Sequence, residues 1–412
     1  MRPKVSKTLH RLILFVFHGA FLSSICLGES LTKQDSTAAV TEIRVDLAAA
    51  TGGVDAVLFD SIAYIPLETN EHSAFSNISQ LEVTDGYFII LDKRINSFFF
   101  FHRDGSFSHK IDKNNENEPF KSVDKFAIDR SRGVLSFRDT WAPHGPYTFG
   151  LDGSFIEVAE WDSMVSFRDF TLFNGFKICY QPRSHHSETD DDRAHFENIV
   201  RYDARTGERL GAYLPVDSTR KNTDLFGVSK YFYRSDQNRL LFTQPYDYAI
   251  YEFDTNAVPH ERFKIILPRF NTLPFDFLTN PEYHGKWRDY LKANKSVIYS
   301  IRDVYLSGNW LSFNTSPSIK RSAFLYNLNT YELFNLKETE DSALGLPVTE
   351  NFRPILAVDH GALISEVSFV ALKKQYEETP RPQQRDLFPQ NLNVLMKKES
   401  HNPILRLSYL KQ

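Results

Sequence analysis

Short apolar runs separated by tight turns rich in Gly, Asn and Asp recur in groups of four along this chain, and this rhythm limits its fold more than any other feature. The first group is the clearest. ISQLEV leads through Thr84-Asp85-Gly86 to YFIILD, a short KRINS loop leads to FFFFH, and Arg103-Asp104-Gly105-Ser106 leads to FSHKI. Asp-Gly supplies the positive φ that two-residue hairpin turns require, so each group reads as four antiparallel strands.

Four more groups follow. They run from DKFAI to FIEVAEW, from RDFTL to RLGAYL, from KYFYR to FKIIL, and from RDVYL to LFNL. A sixth begins at PILAV and continues through Asp359-His360-Gly361 into ALISEVSF, but its other strands are missing locally. Two remote segments have strand character: NPILRLSYLK near the C-terminus and FDSIAYIPLE near the N-terminus. A ring closed by strands from both ends would leave no open sheet edge within the circle. The expected fold is therefore all-β, a six-bladed β-propeller. With 35 Phe and 19 Tyr among 412 residues, the composition suits strands packed on both faces.

The segments SIAYIPLETN, FIILDKRINSFFFFHRDGSF and NPILRLSYLK carry a resemblance to the six-bladed propellers of exported Bacteroidetes proteins, distantly akin to TolB-like propellers. It extends from about Phe59 to Lys411 and implies a fold but no activity. The chain departs from that pattern after the first blade, where KNNENEPFKS stands in place of a Gly-rich GxGPGEY segment.

Residues 1–28 read as an export signal, with Arg2, Lys4, Lys7 and Arg11 ahead of an apolar run over residues 12–25. Small residues permit cleavage after Cys26 or Gly28. Alternatively, Cys26 would carry a lipid that tethers the chain to a membrane, although Ile25 precedes it where such signals want Gly, Ala or Ser. Residues 29–58 read as a polar tether and lead-in, and residues 59–412 as the propeller. The expected location is the periplasm or the outer-membrane surface. Cys179, in the apolar run FKICYQP, reads as a buried structural thiol. A net charge of −4 provides no basic field for a phosphate backbone, which argues against nucleic acid as a partner.

Two insertions interrupt the strand pattern. One is a helix over residues 281–295 capped by Asn280, with Tyr283, Trp287, Tyr290 and Leu291 at helical spacing. The other, over residues 370–398, is a pair of short helices around the bend TPRPQQ, with Leu387, Leu392 and Leu395 available for packing.

In such blades the loops between the second and third strands emerge on the same face as those between blades. That face carries almost all the long loops here, and binding residues collect on loops held by a rigid scaffold. Ser166-Phe167-Arg168-Asp169 and Ser300-Ile301-Arg302-Asp303 recur at the starts of innermost strands, with weaker echoes at Asn351-Phe352-Arg353 and Ser122-Val123-Asp124. Arg168, Asp169, Arg302, Asp303 and Arg353 are thus candidates for gripping an anionic group at the channel mouth, or for pairing with one another to hold the ring. Trp141 and His144, with Tyr147, could stack on a sugar or peptide or lie over the neighbouring blade, and Tyr246 and Tyr248 pose the same choice. The conspicuous loop bearing His185, His186, Glu188, Asp190, Asp191, Asp192 and His195 has few apolar anchors, so it reads as solvated rather than as a metal site.

No nucleophile elbow, zinc-helix, phosphate-loop or dinucleotide fingerprint is present, and no cofactor is legible. The functional expectation is a binding or scaffolding propeller for a peptide, glycan or protein partner. The alternative is a metal-assisted hydrolase or lyase using channel carboxylates such as Asp124, Asp169 and Asp303.

Overall fold

The computed structural model describes residues 39–412 except 114–119, 140–145, 160–166, 183–196, 216–229, 284, 318–322, 343, 350–354, 381–382, 384–387 and 399–400. Six antiparallel sheets form the blades of a propeller. Their innermost strands are Gln80–Val83, Val123–Asp129, Asp169–Phe173, Phe232–Arg234, Ser300–Ser307 and Ala357–Asp359, which define blades 1 to 6 in chain order.

Blade 6 is assembled from both ends of the chain. Ile404–Leu410 lies between Ala362–Val367 and the N-terminal strand Phe59–Pro66, antiparallel to each, and Phe59–Pro66 forms the outer edge. The two segments singled out in the sequence therefore take the places of the missing strands. The N-terminal arm also reaches other blades. Thr41–Arg44 adds a fifth, parallel strand to the outer edge of blade 4, and bridges at Thr51 and Val54 then follow Phe334 and Glu340 beside blade 5. Thr41–Arg44 lies within residues 29–58, read from the sequence as a tether and lead-in, and here it belongs to a sheet.

Stacked blades bury both faces of their middle strands, which explains why runs such as FIIL and FFFF show no alternation. Phe88 and Phe98 to Phe101 are all buried. Alternate members serve opposite neighbours. Phe99 and Phe101 join Leu405 and Leu407 of blade 6, whereas Phe98 and Phe100 join Phe126 and Phe137 of blade 2.

The insertions are helical but shorter than the spacing suggested. The first comprises a single 3₁₀ turn at Pro281–Tyr283, where the Asn280 side chain accepts from the Glu282 N–H at 2.9 Å, and the helix Trp287–Ala293. Gly285, at φ +70°, lies between them and ends the first turn. The second comprises Phe369–Glu378 and Gln390–Leu395, with Leu372, Leu392 and Leu395 buried against Tyr64 and Ile404.

Candidate functional site at the channel mouth

Hydrogen bonds between innermost strands and their flanking residues run around the whole ring. Gln80 of blade 1 donates to the Phe126 carbonyl at 2.8 Å and accepts from the Phe126 N–H at 3.2 Å. Lys125 of blade 2 donates to the Arg168 carbonyl at 2.7 Å. Asp169 of blade 3 accepts from the Tyr231 N–H at 2.7 Å, and Ser235 of blade 4 accepts from the Leu306 N–H at 2.9 Å. The Tyr305 hydroxyl of blade 5 donates to the Leu356 carbonyl at 2.8 Å, and the ring is completed farther out, where Arg103, in the turn between the two outer strands of blade 1, pairs with Asp359 of blade 6. This circuit fixes the walls of a channel without backbone pairing between sheets.

At the long-loop end the channel opens into a pocket with about 110 Å³ of water-accessible space, to which all six blades contribute. Its four carboxylates each have a cation. Glu82 pairs with Lys230 at 3.2 Å, Asp124 with Lys93 at 2.6 Å, Asp169 with Lys125 at 3.4 Å, and Asp303 with Arg302 at 2.9 Å. The Glu82–Lys230 pair joins blade 1 to blade 4, three blades away in either direction, so it spans the channel. Lys230 also stands over the rings of Tyr233 and Tyr305, at 6.0 and 5.9 Å from their centroids.

Local backbone irregularity aims several of these groups. The pairing register slips between Val123 and Phe126, where Asp124 and Lys125 together face the single residue Arg138, and both line the pocket. A second slip lies between Arg302 and Tyr305, where Asp303 adopts φ +52°. A β-carbon is disfavoured in that left-handed region, and the bulge places Asp303 in the pocket lining.

The electrostatics differ between the pairs. Burial pushes the carboxyls of Asp169 and Asp303 above their ordinary range, with Lys125 and Arg302 pulling the other way. At Glu82 burial acts in the same sense, but Lys230, Arg234 and the bond from Gln80 outweigh it and hold the acid below its ordinary value. Lys230 is correspondingly held above its own, because Glu82 more than offsets burial.

Sequence reasoning thus located Asp124, Asp169 and Asp303 near the mouth, and the structure brings them together there. Arg302 lies beside the pocket, bonded to Asp303 and to the Thr315 carbonyl. Arg168 is exposed, and its contribution is the carbonyl that holds Lys125. Arg353, Trp141, His144 and the His185 to His195 cluster lie outside the described residues. Tyr147 belongs to the core, stacked on Phe137. Tyr246 lies against Phe277, and the Tyr248 hydroxyl bonds to Ile298 and Leu273, so both fasten the first insertion to blade 4. Sequence reasoning passed over Glu82, Lys125 and Lys230. The signal for Glu82 was the alternation of Gln80 and Glu82 with Leu81 and Val83, polar on one face of an innermost strand.

Another buried cation sits between blades 2 and 3. Lys177 lies within 5.2 Å of the ring centroids of Phe167 and Phe170, and burial pulls its ammonium down to about 7. Above pH 7 the folded state sheds a proton that the unfolded chain keeps up to its ordinary pKa of 10.5. Folding stability is therefore expected to rise as pH increases from about 7 towards 9, above which the raised thiol of Cys179 works in the opposite sense. The melting temperature followed over that range checks this, and Lys177→Met should flatten the slope. Nearby Cys179 is fully buried and its thiol is pushed up to about 11, as an inert structural cysteine requires.

The model of a family described as a domain of unknown function, DUF4934, matches residues 48–408. The chain belongs to this family. Among solved structures, the DUF4934 chain is similar to a Bacteroides fragilis protein assigned to export, at 15% identity and a TM-score of 0.68, over 91% of this chain and 100% of that one. A member of the DUF4221 family from Bacteroides vulgatus matches at 10% identity and a TM-score of 0.44, over 86% and 97%. The Pan2 WD40 domain of Neurospora crassa matches at 11% and 0.32, over 63% and 65%. No curated protein matches the sequence. At 15% identity the likeness to the Bacteroides fragilis structure extends to the fold and leaves the channel chemistry to be read from this chain's own residues.

Proposed function

We propose that this DUF4934 chain is an exported binding propeller that takes a peptide, glycan or protein partner on its long-loop face, centred on the channel-mouth pocket. The reading rests on one observation: six blades converge on a preformed, charge-rich cavity whose acids are each engaged by a cation. Such a cavity offers fixed donors and acceptors without conformational change. In this reading Asp169 and Asp303 are wall residues, while Arg168 and Arg302 hold neighbouring groups in place. Export is supported by the N-terminal pattern of residues 1–28 and by the Bacteroides fragilis neighbour, with Cys26 as the candidate for a lipid tether.

The metal-assisted alternative calls for several ligands on one ion. Among the described residues no group of three His, Cys, Asp or Glu side chains is gathered closely enough to hold one. The test is a binding screen of the chain from residue 29 onward against peptide and glycan libraries, repeated with Asp124→Asn and Lys125→Gln. Ligand that is retained unchanged and lost in these variants supports the reading. Turnover of the bound ligand, sensitive to chelators and lost in the same variants, would replace it with the hydrolytic alternative.

A further inference from the structure

We propose that the channel-mouth pocket receives a neutral, polyhydroxylated group, the sugar residue of a glycan, rather than an anionic or cationic one. This rests on the reading of the pocket as the binding site and narrows its ligand.

Each kind of ligand would act differently on the pairs already present. Asp169 and Lys125 are both well buried, with side chains 5% and 13% exposed, and Glu82 and Lys230 are only slightly more open at 15% and 22%. A ligand carboxylate that claimed Lys125 would strand Asp169, one that claimed Lys230 would leave Glu82 with Arg234 alone, and a ligand ammonium would strand a lysine instead. Leaving one member of a buried pair uncompensated is among the most expensive changes a protein site can undergo. The pairs also hold one another in place. Lys125 is fixed by the Arg168 carbonyl as well as by Asp169, and Asp169 by the Tyr231 N–H as well as by Lys125. Charge is therefore dense here yet already neutralised.

A hydroxyl makes no such demand, because it donates and accepts at once. It can bond to an oxygen of the acid and a proton of the ammonium in the same pair without parting them, and bonds to ionised partners are the stronger kind. Adjacent hydroxyls on a pyranose ring stand about as far apart as the two poles of the Lys230–Glu82 and Lys125–Asp169 pairs, which are 3.2 and 3.4 Å. Tyr305 and Phe170 adjoin the lining, but both rings are buried, Phe170 against Phe167 and Tyr305 with its hydroxyl on the Leu356 carbonyl, so the polar pairs themselves carry the recognition. At about 30 Å³ for each water in the liquid, 110 Å³ of water-accessible space holds about four waters, room for the hydroxyl-bearing edge of one sugar ring.

The experiment is ligand-observed NMR and calorimetry on the chain from residue 29 onward. The panel contains neutral hexoses, N-acetylhexosamines and neutral oligosaccharides, their uronic-acid and phosphorylated counterparts, and short zwitterionic peptides. Neutral sugars are expected to bind at least about tenfold more tightly than their charged counterparts, with affinity nearly independent of salt. Asp124→Asn, on the exposed rim, and Lys125→Gln should each weaken that binding, with unchanged circular dichroism as the check on folding. Charged ligands binding at the mouth while neutral sugars stay silent would overturn the ligand class and leave the site standing. Ligands that bind with no response to either variant would overturn the site itself. Silence across the panel at millimolar concentration would overturn the inference.

Discussion

Deletion of residues 402–412 is expected to abolish the cooperative unfolding transition and leave a chain that binds hydrophobic dyes and aggregates. The strand Ile404–Leu410 is hydrogen-bonded on both sides, so its loss separates Phe59–Pro66 from Ala362–Val367 and opens two ladders at once. It also carries Ile404, Leu405, Leu407 and Leu410 into the core, all nearly or fully buried. At about 1.5–3 kcal/mol for each large aliphatic side chain, their burial together amounts to about 6–12 kcal/mol. That equals the whole stability of an ordinary domain, about 5–15 kcal/mol. The remaining inner strands would be left as a ring with a gap, its exposed edges free to pair with other chains. Folded yield and a urea titration followed by near-ultraviolet circular dichroism measure the outcome. A truncated chain with a normal transition would show that blade 6 does not close the ring.

What could be read from the sequence follows from how local its causes are. The Asp104-Gly105 turn announces its hairpin because positive φ is a property of one or two residues, and Gly105 has φ +88° with its backbone against the Pro66 carbonyl, whereas the Asp85-Gly86 turn closes without a left-handed residue, against the expectation from its sequence. Apolar runs announce strands for the same reason. The strand Thr41–Arg44 could not be found this way: TEIR is short and mostly polar, and it is a strand only because the outer edge of blade 4 offers it a ladder. The two-residue strands Glu340–Asp341 and Leu346–Pro347 are equally silent.

The site shows the same division. Asp124, Asp169 and Asp303 were visible through their recurring position at the entry to inner strands. Their partners were not, because no sequence spacing relates blade 1 to blade 4 or says that Lys230 reaches Glu82 148 residues away. The sequence also suggested arginine as the gripping cation, whereas bulges at Asp124–Lys125 and at Asp303 decide which side chains enter the cavity. A bulge depends on the pairing of two strands, and residue type alone does not reveal it.

Arg406→Ala is expected to cost about 3–5 kcal/mol, the cost of leaving a buried charge without its partner. Arg406 is completely buried in the closing strand, flanked by Leu405 and Leu407, and nothing in NPILRLSYLK marks it as different from a surface cation. Its guanidinium meets Asp341 at 3.6 Å, where both side chains are essentially inaccessible. It also donates to the carbonyls of Pro347 and Val348 and to the Ser365 hydroxyl. It therefore ties the small hairpin of residues 340–347 to blade 6, while Asp55, just ahead of the outer strand, accepts from the Ser342 N–H at 3.1 Å. Removal of the arginine takes the cation from buried Asp341, which keeps the Leu344 N–H, and a donor from the Pro347 and Val348 carbonyls, so the loss should exceed that of any exposed pair on this surface, where about 0–1 kcal/mol is usual. Removing both charges tests the cause. Arg406→Leu combined with Asp341→Leu should recover part of the stability lost by Arg406→Ala, since no lone charge then remains buried. Urea midpoints at constant slope for Arg406→Leu, Asp341→Leu and the double variant supply the comparison. If the double variant proves less stable than either single one, the pair contributes attraction beyond the cost of its own desolvation, and blade closure depends on the ion pair itself as well as on apolar burial.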